Sequence, residues 1–489
     1  MPSPASSVGP SSAHLSEGEL WSLRENVHVQ LEDAHIALVS RWGTLRIPQP
    51  TPVLREALRR MELGPARLEN VPGTDDLLQR VQLLADLRQL GGLVVRSVGA
   101  GDGSGSLLSV VATRPESLLV PAAVPQDRPL RLSRFAALRP QDRGWILESP
   151  LSSFRVVFSR PEASSLIAAL GRPVTAAQAA RPLPVSARSA HTMLSYLMAT
   201  GMVQASEDGE GEPRFPEDCD PVLRAWSPHD LMFHWSSRPG LGDGVFGATY
   251  PLRGAQPRPP ALKELPAGPR VDLPRPHEEA RTGPDMSLTD ALEQRASVRA
   301  HGTRPLTLAQ LGELLHRALR VRTGRAPAPG RDARPSSDRP YPSGGACYEL
   351  EFYLSVSRCT GLAPGAYYYA PAEHCLVRLP DREAALGRIL AEAGAGAGLS
   401  DAPDVLLTMT ARFARVSWKY SGLAYALTLK NVGVVQQTLY LLTTAMGLAG
   451  CAIGTGDTGL SARVFGLDWR EESAVGEFLL GSLPDRDGT

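Results

Sequence analysis

Arg415–Gly459, RVSWKYSGLAYALTLKNVGVVQQTLYLLTTAMGLAGCAIGTGDTG, decides how the second half of this 489-residue chain is read. Within it Val432, Val435, Leu439, Leu442, Met446 and Ala449 recur at alternating steps of three and four, the spacing of one buried helical face. The spacing predicts a core helix. Ahead of it stands Trp418-Lys419-Tyr420. Lysine is scarce here: Lys263, Lys419 and Lys430 are the only ones among 51 Lys and Arg. Where Arg supplies almost every generic positive charge, a retained Lys is a candidate for work that needs a compact, tunable ammonium. A solvated side chain is the plain alternative.

Working outward, the length predicts about three domains. Lys+Arg and Asp+Glu are equal at 51 each, so the chain lacks the electrostatic footprint of a partner for nucleic acid or for an anionic membrane. Gly and Pro are abundant but cluster in a tail and linkers without a period. The five cysteines, Cys219, Cys347, Cys359, Cys375 and Cys451, show neither CxxC nor metal-ligand spacing, and an odd count leaves one unpaired. No metal site is expected, and a reducing cytoplasm fits. Met1–Glu19 has no basic or apolar signal region and reads as a disordered tail. The longest apolar run, Leu439 to Ile453, is broken by Thr443, Thr444 and several Gly, too mixed to span a bilayer.

Upstream, the alternation from Val27 to Ile47 predicts a hairpin turning at Glu32-Asp33. A helical stripe follows after Pro52 (Val53, Leu54, Ala57, Leu58, Met61), then a second (Leu77, Leu78, Val81, Leu84, Leu87, Leu90) ending at Gly91-Gly92. LVVRSV and LLSVVAT are two strands joined by the glycine-rich GAGDGSGS. The order recurs: strand patterns at Phe135–Leu138 and Trp145–Phe158, helices at Pro161–Leu170, Ala176–Ala180 and Ala187–Thr200. LLADLRQLGGLVV and MLSYLMATGMVQ match in register, so two copies of a winged-helix-like unit are expected. Such a unit suits DNA or a peptide added as a strand. The absent net charge and Asp75, Asp76 and Asp86 favour the peptide. An aromatic island, Trp226 to Tyr250, reads as a strap, and Pro251 to Asp285, with nine prolines, as a linker.

Past Ser287, Ser287-x-x-Asp290 and Thr307-x-x-Gln310 open two short helices. Arg322 to Arg339 is a Pro/Arg/Gly loop. Strands are predicted at Leu350–Val356, Ala366–Tyr369, Leu376–Leu379, Val405–Thr410 and Val475–Leu480. Three sets of residues carry chemistry. Arg295, Ser297 and Arg299 place two guanidinium groups and a hydroxyl where they grip a phosphate. Pro342-Ser343-Gly344-Gly345 puts small residues where backbone approaches a flat ring. Gly454-x-Gly456-x-x-Gly459 spells a dinucleotide pattern, but a Rossmann unit needs a strand before it and a second parallel strand after. A helix is predicted before it and only 30 residues follow, so that reading is rejected.

RxSxR, then PSGG before a strand, then WKY ahead of a long helix leading to GLAGCAIGTGD, resemble the FMN-dependent nitroreductase superfamily. The Lys419-Tyr420 pair, the DLMFHWSSRPG island and the C-terminal VGEFLLG are similar to the SagB and cyanobactin-oxidase type of peptide azoline dehydrogenase, which aromatises thiazolines or oxazolines in ribosomally made peptides. The resemblance covers Trp226 to Leu483, and the N-terminal units are similar to the peptide-clamp domains of such oxidases. It implies an α+β chain: a disordered tail (1–23), two winged-helix-like clamp domains (24–115 and 116–210), a strap and linker (211–285), and a nitroreductase-like FMN domain (286–489). It further implies Arg295, Ser297 and Arg299 on the FMN phosphate, Pro342, Ser343, Gly344 and Gly345 beside the flavin, Gly454 and Gly456 near its other edge, and Lys419 and Tyr420 as the catalytic pair. For the last phosphate-binding residue near the C-terminus, Arg486 is the candidate. Implied partners are a leader-bearing precursor peptide, a cyclodehydratase and a second copy of the chain. Aromatisation removes a proton from the former peptide Cα and a hydride from the adjacent carbon. Tyr is a poor base at neutral pH unless a neighbouring ammonium stabilises its phenolate. The alternatives are an NAD(P)H-dependent nitro- or quinone reductase and a catalytically silent peptide-binding scaffold.

Overall fold

The computed structural model describes residues 18–100, 105–142, 144–207, 211–276, 285–322, 337–399 and 401–484. The tail to residue 17, the middle of the glycine-rich loop, residues 323–336 and Arg486 lie outside the described residues. The chain divides into two units, 1–244 and 245–489.

In the first unit Glu19–Leu23, Val94–Gly99, Ser106–Ala112, Phe154–Phe158, Gly144–Glu148 and Ala137–Gln141 pair in that order, all antiparallel, into one six-stranded sheet. The end of the expected tail is therefore a strand, and the sheet draws on both 24–115 and 116–210. His28–Leu31 and His35–Ser40 form the expected hairpin, extended by Gly43–Pro48. Helix Pro52–Leu63 starts as its sequence demands: Thr51 accepts a hydrogen bond from Leu54 N, Pro52 occupies the first turn, and Val53, Leu54, Ala57, Leu58 and Met61 are buried.

Helix Leu77–Gln89 departs from expectation. Leu83 and Leu87 are buried, whereas Leu77, Leu78 and Val81 are 57, 80 and 43 % exposed. Its apolar residues occupy more than one face, so period alone admits two stripes, and packing takes the one through Leu83, Leu87 and Leu90.

The second unit is built on a seven-stranded sheet, all antiparallel, ordered Arg270–Asp272, Cys375–Arg378, Gly365–Ala370, Leu350–Val356, Val405–Arg412, Glu472–Ser482, Leu448–Ile453. Alternation along Leu350–Val356 sorts the two faces. Leu350, Phe352, Leu354 and Val356 share a core with Val432, Val435 and Leu439 of the core helix Ala424–Ala445. Tyr353 faces the other core, under helices Glu383–Ala397 and Thr458–Phe465.

The core helix stops at Ala445, before Gly447 (φ 64°), and Ala449 belongs to the strand Leu448–Ile453. An unbroken apolar run looks the same to periodicity whether strand or buried helix. The glycine pattern at 454–459 thus does stand between a strand and a helix. The Rossmann reading fails for another reason: Leu448–Ile453 pairs antiparallel with Glu472–Ser482, so there is no parallel crossover. Nor does WKY open the core helix. It follows a short helix, Phe413–Ser417, and Gly422 (φ 77°) stands between it and the core helix.

The proline-rich stretch is laid along this unit. Arg270–Asp272 pairs with Cys375–Arg378, and the carbonyls of Gln256, Pro259, Pro260 and Ala261 accept hydrogen bonds from Trp418, Arg415 and Arg412. Proline lacks a donor but keeps its carbonyl. Among the described residues no helix is long and apolar enough to cross a membrane, and no group of His, Cys, Asp and Glu is arranged to hold a metal.

Candidate functional site

Lys419 and Tyr420 lie in the connection between the two helices, so neither is bound to helical side-chain spacing. That connection is clasped by the aromatic island: Tyr250 N donates to Lys419 O (3.1 Å), Gly247 and Ser421 exchange backbone hydrogen bonds, and Tyr250 meets Trp418 edge-on at 5.7 Å. The buried Arg415 guanidinium donates to Cys347 O (3.1 and 2.6 Å) and Pro259 O (2.7 Å), tying the short helix to the PSGG turn. Burial, with Arg412 and Arg258 nearby, brings its pKa down to about 10.

The turn itself is tight. Gly345, Ala346 and Tyr348 have φ of 61, 53 and 45°, a conformation that costs non-glycine residues roughly 1 kcal/mol or more each. Asn431 of the core helix holds it: Oδ1 accepts from Gly344 N (3.1 Å), and Nδ2 donates to Ser343 Oγ (3.2 Å) and Glu349 Oε1 (2.7 Å). Ser343 Oγ also donates to Glu349 Oε2 (3.2 Å) and accepts from Tyr348 N (2.9 Å). Pro342 is exposed at the head of the turn.

Over this turn the predicted pair converges. Lys419 Nζ donates to Gly345 O at 3.1 Å and sits 5.2 Å from the centre of the Tyr420 ring. A Cβ on Gly345 would stand 2.1 Å from Tyr420 Oη and 2.8 Å from Lys419 Nζ. Glycine is therefore required by both its backbone angle and its neighbours.

The phosphate-type residues meet the core helix elsewhere, at Tyr440. Arg295 caps helix Leu288–Gln294, and Val298 N donates to Gly450 O (3.0 Å). The Arg295 guanidinium lies 5.4 Å from the Tyr440 ring centre, and Ser297 Oγ is 2.9 Å from Tyr440 Oη, which accepts from Ala452 N at 2.8 Å. Among the described residues neither Arg295 nor the exposed Arg299 has a carboxylate partner. Asn431 and Tyr440 are nine positions apart, about 14 Å along the helix axis. Each thus anchors one of two groups spaced along a single rod.

Gly454 and Gly456 are exposed at the end of strand Leu448–Ile453. A Cβ on Gly456 would meet Glu477 Oε1 at 2.1 Å. Burial pushes the Glu477 carboxyl up to about 7. The scarcity of Lys proves a mixed signal: Lys263 is structural, with Nζ 2.5 Å from Glu472 Oε2 and 2.7 Å from Tyr353 Oη.

Sequence reasoning missed Asn431, Glu349, Arg415, Tyr440 and Glu477. Asn431 alone left a trace, as an amide directly beside the buried face of an apolar helix.

The nitroreductase family model matches residues 292–482, and the model of the cyanobactin oxidase ThcOx matches residues 130–243. A protein of Methanocaldococcus jannaschii described as a nitroreductase is 31 % identical over 170 residues, covering 35 % of this chain and 79 % of that one. The chain belongs to the nitroreductase family. Upstream of that domain lies the stretch that the cyanobactin oxidase ThcOx model matches. Among solved structures, a nitroreductase-type protein of Ralstonia eutropha JMP134 is 21 % identical, with a TM-score of 0.34, over 47 % of this chain and 100 % of that one. A chain of the E. coli microcin synthetase McbBCD complex, bound to truncated pro-MccB17, is 20 % identical, with a TM-score of 0.32, over 52 % of this chain and 87 % of that one.

Proposed function

We propose that this chain is an FMN-dependent dehydrogenase that oxidises thiazolines or oxazolines to thiazoles or oxazoles in a ribosomally made, leader-bearing peptide. The observation that carries the reading is the convergence of Lys419 Nζ and Tyr420 Oη on Gly345, in a nitroreductase-family chain preceded by a cyanobactin-oxidase segment.

The residues suit the flavin. Arg295, Ser297 and Arg299 form a donor set that has no carboxylate partner among the described residues and is fitted to a dianionic phosphate. Pro342, Ser343, Gly344 and Gly345 offer a backbone turn free of bulk, and the exposed Gly454 and Gly456 offer another. When bound, FMN supplies the acceptor for a hydride. The chain supplies the rest: the Lys419 ammonium, steadied on Gly345 O, stabilises Tyr420 as a phenolate, and that phenolate takes the proton from the ring carbon that was the peptide Cα, becoming the neutral phenol.

Residues 24–115 and 116–210 act in this reading as peptide-clamp units, 211–285 as strap and linker, and 286–489 as the catalytic domain, working in the cytoplasm as a homodimer beside a cyclodehydratase that makes the azoline. The 170-residue match to a protein described as a nitroreductase favours a second reading, an NAD(P)H-dependent nitro- or quinone reductase. Single-turnover flavin reduction separates them. An azoline peptide should reduce the wild-type flavin, and Tyr420→Phe should slow that step by about 10² to 10⁴-fold. Reduction by NAD(P)H, indifferent to azolines and to Tyr420→Phe, would overturn the proposal.

A further inference from the structure

The first unit holds a groove of about 370 Å³ floored by one face of its six-stranded sheet. One wall is the C-terminal part of helix Leu77–Gln89, another is helix Ala187–Ala199, and the segment from Ser117 to Pro121 forms the third. Its polar groups are lopsided. The floor pairs Trp21 with Arg96 across two strands, and the one carboxylate there among the described residues, Glu19, is already taken by Arg96 (2.7 Å) and by the Tyr196 hydroxyl. Among the described residues Trp21 Nε1, Arg96 Nε and Ser117 Oγ are buried with no hydrogen-bond partner, and an unpaired buried polar group is destabilising. Two of the three can only donate. At the rim, Arg88 on one wall and His191 on the opposite wall are exposed, and among the described residues neither is in an ion pair.

The apolar surface is equally incomplete. Leu118 and Val120 are 45 and 64 % exposed on the rim, and the uncovered Leu77, Leu78 and Val81 lead along their helix to Leu84 inside the groove. Donors without acceptors, basic groups without acids and an apolar strip beside them describe the complement of one ligand class. A nucleic acid satisfies the first two features but offers little to exposed Leu and Val.

We propose that this groove binds an extended peptide segment that alternates aliphatic and acidic residues, its carboxylates meeting Arg88 and His191, its carbonyls facing the orphaned donors and its aliphatic side chains covering Leu118, Val120 and the Leu77–Leu84 strip. This rests on the peptide-capture part of the function proposed above and gives it a location and a ligand chemistry.

The test is fluorescence anisotropy on the full, flavin-loaded chain with a labelled ten-residue peptide of Leu, Glu and Ser, against counterparts with Lys for Glu or Ser for Leu and a single-stranded oligonucleotide of similar length. The Leu/Glu peptide should bind about tenfold or more tighter than each counterpart. Arg88→Glu with His191→Glu should remove that preference and favour the Lys peptide, and Val120→Asp should weaken binding alone; all three positions are exposed, so these variants should melt as the wild type does. Equal binding of the acidic and basic peptides, an unchanged preference in the double variant, or tighter binding of the oligonucleotide would each overturn the proposal. Flavin reduction by a leaderless azoline peptide is read alongside. If it succeeds while no peptide prefers the groove, the groove assignment fails alone; if it fails while the preference holds, the oxidation reading fails and the groove stands.

Discussion

Gly345→Ala tests the arrangement at its tightest point. The new methyl would lie 2.1 Å from Tyr420 Oη and 2.8 Å from Lys419 Nζ, where ordinary contact begins near 3.4 Å. Tyr420 must retreat by roughly 1 Å, and a misplacement of that size costs about 10²-fold in rate. Backbone strain adds to it, since φ is 61°, and an alanine held there costs about 1 to 2 kcal/mol. Gly361→Ala is the control: its φ is 88°, but its methyl would meet only Leu308 Cβ at 3.5 Å. Both variants should lose similar stability in urea melts, while only Gly345→Ala should lose about 10²-fold in single-turnover flavin reduction by an azoline peptide. Wild-type turnover by Gly345→Ala, or equal slowing by Gly361→Ala, would refute the reasoning.

Arg295→Ala with Arg299→Ala should give a folded protein that loses FMN on desalting, because among the described residues neither guanidinium is tied to an acid; stoichiometric flavin retention would contradict this. Lys419→Arg should bind flavin normally yet turn over slowly, because guanidinium keeps the charge but not the compact ammonium that Gly345 O receives; wild-type turnover would return Lys419 to a solvated role. The raised pKa of Glu477 makes the folded state hold its proton up to about pH 7, against an ordinary value of 4.5. Stability from this group is therefore full below about pH 4.5 and is lost as pH rises through about 7, by roughly 3 kcal/mol at most. Glu477→Gln should flatten that fall in urea melts taken from pH 5 to 8, and parallel profiles would rule it out. Asn431→Ala should destabilise by about 2 to 3 kcal/mol, since it leaves the fully buried Glu349 short of a donor; a change within 0.5 kcal/mol would show that the turn does not depend on it.

Local periodicity determined much of this protein. The stripe of helix Pro52–Leu63, the buried Val432, Val435 and Leu439, and the alternation of Leu350–Val356 were all legible, because each shows one clean period with one wet side or one neighbouring core. The motifs around Arg295, Pro342 and Lys419 were legible for a related reason: glycines and paired basic residues at fixed offsets announce a local geometry.

What the sequence left open was which of several compatible surfaces goes inside. Leu448–Ile453 carries an apolar run that fits strand or helix equally, and only its pairing with Glu472–Ser482 settles it. Helix Leu77–Gln89 has apolar residues on two faces, and only its neighbours choose Leu83 and Leu87. The site is non-local in the same way. Gly345 and Lys419 are 74 positions apart, and the amide and carboxylate that hold the turn, Asn431 on the core helix and Glu349 just ahead of strand Leu350–Val356, meet only through tertiary packing. Hydrogen-bond partners across such separations are fixed by packing density and burial, which no window along the chain contains.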